Sequence, residues 1–200
     1  SINAIEKNII TFEDPVEMRQ LFWSQGQRNI MKDNPDMNFD YLEAKKAILR
    51  QDPDIVMIGE IRDIETAKIA IQASLTGHLV FSTLHTNTAI RAITRLQDMS
   101  IEPFLLATSL IGVLAQRLVL LLCEQCKKSC DPTQEEKRIL GRLNNPEKIK
   151  LYHPVGCDAC HGIGFCGRSG IYELVVIDEQ LRTMIHDQAS EQSMNQYALS

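Results

Sequence analysis

Four cysteines and a small set of carboxylates carry most of the chemistry this sequence offers. Cys123-x-x-Cys126 and Cys157-x-x-Cys160 are two close pairs separated by 30 residues. Tetrahedral zinc takes four soft ligands, and two such pairs supply them from two knuckles. The stretch between the pairs exceeds the roughly 15–20 residues usual in a zinc ribbon. Loop-closure entropy grows only slowly with length, so the excess is no obstacle. A Cys-x-x-Cys pair can also be a redox motif, and both pairs can be unmetallated thiols. Two pairs at this spacing favour metal, with Zn²⁺ the expected ion and a structural role, because four thiolates leave no open position for water. Asp158 and His161 sit beside the second pair but are not needed as ligands. Cys130 and Cys166 are expected to be free or partly buried thiols.

The carboxylates fall into two clusters. Glu60 follows the apolar run Ile55-Val56-Met57-Ile58-Gly59 and precedes Ile61-Arg62-Asp63. Ligands of open α/β sheets lie beyond the carboxyl ends of the strands. A carboxylate there can hold Mg²⁺, directly or through water, or polarise a nucleophilic water. Glu13, Asp14 and Glu17 follow a second apolar strand, Asn8–Phe12, and are expected to converge on the same edge. Either cluster alone is read most simply as polar residues at a strand end. Together they suit one division of labour, with one carboxylate for the metal and one for the attacking water. His78 and His85 bracket a further strand, so only one of them belongs at the acidic edge. A lone histidine is more often a hydrogen-bonded structural residue than a catalyst. His85, followed by Thr86-Asn87, is the candidate for sensing phosphate.

The elements that must position these residues alternate along the chain. Ile55–Gly59 is apolar without alternation, as in a strand buried on both faces of a parallel sheet. A helix is expected over Ile64–Leu75, a strand over Leu79–Leu84, a helix capped by Asn87 or Thr88 and ending near Met99, and another running from Pro103 to about Leu118. Before them, Leu42–Arg50 has helical spacing and Asp52-Pro53-Asp54 stops it. Residues 18–40 are polar and irregular. From Cys123 the composition changes: all six cysteines and six of the ten glycines fall between there and Gly170. A short helix is expected at Gln134–Leu143, then a strand at Ile171–Val176 and a helix from about Asp178 to His186. This order predicts an α/β fold with a mainly parallel sheet.

Composition excludes some classes. The chain has 200 residues, a net charge of -5, 44% hydrophobic and 24% charged residues, the balance of a soluble globular protein. The acidic balance counts mildly against a nucleic-acid binder, which more often carries a basic face. The most apolar stretch, Pro103–Cys123, is interrupted by Gln116 and Arg117, so no membrane span is expected. The opening residues Ser1–Lys7 lack a basic start followed by an apolar run, so no export signal is expected and the cysteines are assigned to a reducing cytosol.

Three boxes in order now carry a resemblance. Thr11-Phe12-Glu13-Asp14-Pro15-Val16-Glu17 resembles an aspartate box, Ile48–Asp63 a Walker B region, and Thr76–Asn87 a histidine box. Together they are similar to the ATPases of type II secretion and type IV pilus assembly, within the secretion ATPase superfamily. The tetracysteine site resembles the extension and secretion motors rather than the retraction motors. The resemblance implies a RecA-like ATPase core over residues 1–122, a tetracysteine zinc-binding subdomain over 123–166 and a small α/β tail over 167–200. It implies a homohexamer using ATP and Mg²⁺, cytoplasmic and peripheral at the inner membrane, where platform and docking proteins supply the membrane contact. By the same resemblance Glu60 is the Walker B carboxylate, Glu13 or Glu17 the general base, and Arg50 an arginine reaching a neighbouring subunit's nucleotide. His78 and His85 link nucleotide state to subunit movement, and Asp14, His78 and Arg62 are candidate cofactor contacts.

Departures accompany the match. No Gly-x-x-x-x-Gly-Lys-[Ser/Thr] occurs in the sequence, so the loop that cradles phosphates is expected upstream and this stretch alone is expected not to turn over ATP. Lys46 stands where a second arginine is frequent, keeping the charge without the planar fork. Leu120-Leu121 replaces a frequent basic pair, and residues 18–40 do not follow the pattern. Two competing functions are a RecA-like DNA translocase with a zinc ribbon and a non-catalytic scaffold. The first calls for a basic stripe, yet the cysteine region offers only the short pairs Lys127-Lys128 and Lys137-Arg138, each among acidic residues. The second is disfavoured by the retention of Glu60, Glu13 and His85.

Overall fold

The computed structural model describes residues 6–27, 47, 49–140 and 150–199. Most of the helix expected over Leu42–Arg50, including Lys46, and the last three residues of the one expected over Gln134–Leu143 lie outside the described residues. Strands β1 (Ile9–Glu13), β2 (Ser24–Gln27), β3 (Ile55–Ile58) and β4 (Leu79–Ser82) form one sheet in the order β2-β1-β3-β4. All three pairings are parallel, with Ile9 opposite Ile55 and Ile55 opposite Leu79. The sequence accounts for the two central strands. Ile9, Ile10, Thr11 and Phe12 of β1 and Ile55, Val56 and Ile58 of β3 are all buried, as side chains on both faces of a covered parallel sheet must be.

Helix α1 (Ile64–Leu75) connects β3 to β4. Asp63 caps it by accepting from the Thr66 N–H at 2.7 Å. Its Ile69 and Ala70 join Val56 and Ile58 beneath the sheet, while Ala67 and Ile71 join a larger core. That core gathers α2 (Ala89–Asp98), α3 (Pro103–Ser109), α5 (Glu179–His186) and α6 (Glu191–Ala198) around Ile90, Ile93, Leu106, Leu181, Ile185 and Met194. Thr88 caps α2, accepting from the Arg91 N–H at 3.3 Å, and Asp178 caps α5, accepting from the Leu181 N–H at 2.8 Å.

Three elements depart from expectation. The helix expected from Pro103 to about Leu118 ends at Ser109, and strand β5 (Gly112–Leu122) follows. Leu110 is already extended, and the succeeding Ile111-Gly112-Val113 combines β-branched residues with the weakest helix former short of proline. An unbroken apolar run does not by itself distinguish a strand from a helix, and β5 leaves most of its apolar side chains exposed, so periodicity misled here. Within the stretch read as irregular, Ser24–Gln27 forms β2 on the edge of the sheet, with Gly26 packed against the Phe12 ring. Finally, α6 was not anticipated: its polar sequence shows little apolar stripe, and Met194 alone of it is fully buried.

The described chain divides into two compact units, one running to Ala115 and resuming at Glu173, the other Gln116–Tyr172. In the second, β6 (Lys128–Cys130) pairs antiparallel with β7 (Leu151–His153), bringing Cys130 opposite Leu151. Helix α4 (Gln134–Leu140) lies between them in sequence and buries none of its residues. Strands β5 and β8 (Phe165–Val176), which lead into and out of this unit, pair as a two-stranded sheet.

Candidate functional site

Because the four strands are parallel, everything just beyond their carboxyl ends shares one edge. Glu13 is the last residue of β1, Glu60 stands two residues beyond β3, and His85 follows β4. Gly59 permits the approach of the first two. Its N–H donates to Phe12 O at 2.8 Å, and a Cβ on it would lie 3.3 Å from the Glu13 Cα. Any side chain at 59 would push these strand ends apart.

Glu60 is held at both oxygens. Oε1 pairs with the Arg62 guanidinium, and Oε2 meets His85 Nε2 at 3.0 Å. The Arg62 guanidinium, and after it the His85 ring, hold the Glu60 carboxyl below the ordinary glutamate range against the opposing effect of burial. Glu60 is therefore an anion ready to accept a proton donor or a cation once a partner is displaced. The backbone on either side of it is tied to β4. Thr83 Oγ1 donates to Gly59 O at 2.6 Å and the Ile61 N–H donates to Thr83 O at 3.0 Å. Ser82 Oγ donates to Ile58 O at 2.7 Å.

Glu13 is half-buried and accepts two hydrogen bonds at the same oxygen. Thr11 Oγ1 donates to Oε1 at 2.6 Å and Gln25 Nε2 donates to it at 3.1 Å. Asp14 and Glu17 stand exposed on the following loop. The structure thus gathers Glu13, Glu60, Arg62 and His85 at one edge, with Asp14 and Glu17 next to it in sequence. It places Arg50 and His78 at the opposite, amino edge, since they precede β3 and β4. There His78 Nδ1 donates to Ala73 O at 2.9 Å and meets Thr76 Oγ1 at 3.0 Å, finishing the end of α1. Thr11, Gln25, Ser82 and Thr83 were missed by sequence reasoning. Hydroxyls and amides in strands have no distinguishing pattern, although their nearness to the two acidic clusters was a usable signal.

The four paired cysteines meet in the second unit. The sulfurs of Cys123, Cys126, Cys157 and Cys160 all lie within 4.8 Å of one another. Cys123–Cys157 is 3.9 Å, and Cys126–Cys160 and Cys157–Cys160 are each 3.8 Å. A tetrahedral ion with bonds of about 2.3 Å sets its sulfurs about 3.8 Å apart, so the group fits one metal ion. Backbone N–H groups aim at the sulfurs as they would at thiolates: Gly156 to Cys126 at 3.3 Å, and Cys157 and Gly164 each to Cys160 at 3.2 Å. Burial opposes ionisation of Cys160, but these N–H groups bring its thiol down to about 6. Burial pushes Cys126 up to about 11. Gly156, at φ 106°, lets the second knuckle fold back, since a Cβ there would come within 2.5 Å of Gly162 O. Asp158 and His161 form and close the turn between the second pair without joining the cluster. Cys130 is half-buried and Cys166 exposed; neither joins the four.

Comparison with known proteins places this geometry. The family model described as "Type II/IV secretion system protein" matches residues 1–200. The type II secretion system ATPase E of Vibrio cholerae serotype O1 is 50% identical over 196 residues, covering 98% of this chain and 38% of that protein. The type II secretion system protein E of Pseudomonas aeruginosa is 52% identical over 198 residues, covering 99% and 38%. The chain therefore spans about 38% of the length of these curated relatives. Among solved structures, the pilus retraction motor PilT with bound ADP superposes with a TM-score of 0.62 at 28% identity, covering 97% of this chain and 46% of that one. The DotB ATPase of Legionella pneumophila, at 20% identity and a TM-score of 0.55 over 95% and 42%, shares the fold. The α/β fold with its parallel sheet is that of these ATPases.

Proposed function

The chain belongs to the Type II/IV secretion system protein family, and from that premise we propose that it is part of a motor ATPase that couples ATP hydrolysis to protein export or pilus assembly. The observation that carries the reading is the placement of Glu13 and Glu60 at adjacent carboxyl ends of parallel β1 and β3, with His85 on Glu60. Relatives 50–52% identical over nearly the whole chain favour type II secretion over pilus extension.

In this mechanism Glu60 holds Mg²⁺ directly or through water, and Glu13 accepts the proton of the water that attacks the γ-phosphate. Mg²⁺ held there would supply the charge neutralisation that phosphoryl transfer requires. His85, which shares Glu60, reports whether the phosphate is present. Arg50 and His78, at the other edge of the sheet, act outside this subunit's own reaction. Arg50 serves the nucleotide of a neighbouring subunit, which fits a ring, and a hexamer is the expected assembly. Among the described residues no helix is long and apolar enough to cross a membrane. Contact with the inner membrane is assigned to platform and docking proteins by the family reading. The four cysteines bind one structural Zn²⁺.

The test is ATP hydrolysis by the full-length protein with Mg²⁺, alongside Glu60→Gln. The motor reading expects hydrolysis by the wild type and a variant that binds ATP but turns it over at least about a hundredfold more slowly. A wild type that binds ATP without hydrolysing it replaces the motor by the scaffold. The 200-residue chain itself, which contains no Gly-x-x-x-x-Gly-Lys-[Ser/Thr], is expected to be inactive. Mg²⁺-dependent hydrolysis by this purified stretch contradicts that expectation.

A further inference from the structure

The two oxygens of Glu13 are loaded unequally, whereas Glu60 has a partner on each. Among the described residues, both hydrogen bonds that Glu13 accepts fall on Oε1, from Thr11 Oγ1 at 2.6 Å and from Gln25 Nε2 at 3.1 Å, and none falls on Oε2. These donors are register partners: Thr11 of β1 lies opposite Gln25 of β2 on parallel strands, so both side chains share the face on which Glu13 stands. Thr11 is fully buried, which fixes its hydroxyl, and that hydroxyl ends on Glu13. Gln25 spends its whole amide on this corner. Nε2 donates to Met18 O at 3.0 Å as well as to Glu13, and Oε1 accepts from the Gln20 N–H at 2.7 Å. One side chain thus ties the carboxylate to the loop that follows β1.

We propose that Gln25 is a positioning residue for the Glu13 base, pinning Oε1 with the help of Thr11 so that Oε2 faces the attacking water. This rests on the motor reading above. A base must present one lone pair within hydrogen-bond reach of its proton in a fixed orientation. A glutamate side chain at a strand end otherwise turns about three bonds. Two donors on one oxygen remove that freedom without neutralising the charge, and they sit on the side away from the proton to be taken. In the reaction the proton passes from water to Oε2, the water oxygen bonds to the γ-phosphorus, and the bond to the leaving diphosphate breaks. Neither Gln25 nor Thr11 exchanges a proton. The short strand Ser24–Gln27 on the edge of the sheet thereby gains a purpose: it delivers one amide to the base.

The test uses the full-length protein and reads kcat and KM for ATP separately. Gln25→Glu keeps the shape but replaces the donor by a second carboxylate against Glu13. Gln25→Leu removes the amide, Thr11→Val removes the hydroxyl at constant shape, and Thr11→Ser retains it. The expected result is a fall in kcat of about ten- to a hundredfold for Gln25→Glu, the loss of a hydrogen bond to a charged group, with KM within about twofold of wild type. Thr11→Val should fall in the same direction and Thr11→Ser should recover most of the rate. Thermal melting shows which variants are folded, and Thr11→Val against Thr11→Ser decides the matter if the Gln25 variants are not. An active wild type whose folded Gln25 and Thr11 variants all keep kcat within about twofold overturns the positioning role alone. A rise in KM at unchanged kcat overturns it too, since Gln25 would then serve nucleotide binding. An inactive wild type brings down the motor reading and this inference with it.

Discussion

The ionic contacts of Glu60 make it the most informative single residue. Arg62 on one oxygen and His85 on the other favour its ionised form, so its folded-state pKa is depressed. A depressed carboxylate contributes stability that is present above the ordinary glutamate range and is lost as the pH falls through its folded-state value. Glu60→Gln removes that contribution at neutral pH and nothing once the wild-type group is protonated. The variant should therefore melt below wild type at pH 7 and converge with it as the pH falls through the depressed Glu60 value. A constant gap across that range would mean that Glu60 stabilises the fold through something other than its charge. Both contacts are made by exposed partners, so the neutral-pH gap should be small.

Elements owe their places here to caps and to buried aliphatic stripes. Helix α2 begins at Thr88, whose side chain satisfies the Arg91 N–H, and Glu173 Oε2 accepts from the Ala89 N–H at 3.3 Å. Replacing Thr88 by alanine should cost about 1 kcal/mol in denaturant unfolding. Ile93, on the buried face of the same helix, is 0% exposed in the core shared with α3, α5 and α6. Ile93→Ala should cost about 2–5 kcal/mol, more than the cap, because it leaves a cavity as well as losing burial. A cap variant more damaging than the core variant would show that α2 is held by its end rather than by its packing. The same reasoning accounts for β5. Its glycine and β-branched residues stop a helix whose apolar spacing alone would have continued it.

Across the whole molecule, two compact units carry two kinds of site, one at a sheet edge and one among cysteines. The four thiols and the N–H groups aimed at them form a cluster whose size fits one metal ion. Elemental analysis of protein purified under reducing conditions should find about one zinc per chain. Removing the ion with a strong chelator should speed amide exchange in residues 116–172, because metal affinity is also folding free energy. Zinc far below one per chain, or exchange unchanged on chelation, would leave the thiols unmetallated. Loss of ATP hydrolysis on Cys157→Ser is expected to track loss of folded protein, since four thiolates leave the ion no open position for water.

Much of this was legible along the chain because it depends on local pattern. The apolar runs at Ile9–Phe12 and Ile55–Ile58 mark buried strands, Thr88 marks a helix start, and the spacing of the cysteine pairs marks a cluster of four thiols. Parallel pairing then follows from strand–helix–strand order, and it alone puts Glu13, Glu60 and His85 on one edge and His78 and Arg50 on the other. The tertiary structure decided what pattern does not encode. Periodicity did not distinguish β5 from a helix, and the polar Ser24–Gln27 showed no strand signal until β1 offered it an edge. Which donors meet which carboxylate oxygen also depends on register between strands distant in sequence. Gln25 and Thr83 are ordinary polar residues as letters; only the pairing of β2 with β1 and the closure of β4 on β3 bring them to the Glu13 carboxylate and to the Gly59 carbonyl beside Glu60. Local sequence sets backbone preference and burial, whereas a hydrogen bond between strands exists only once long-range packing has chosen their alignment.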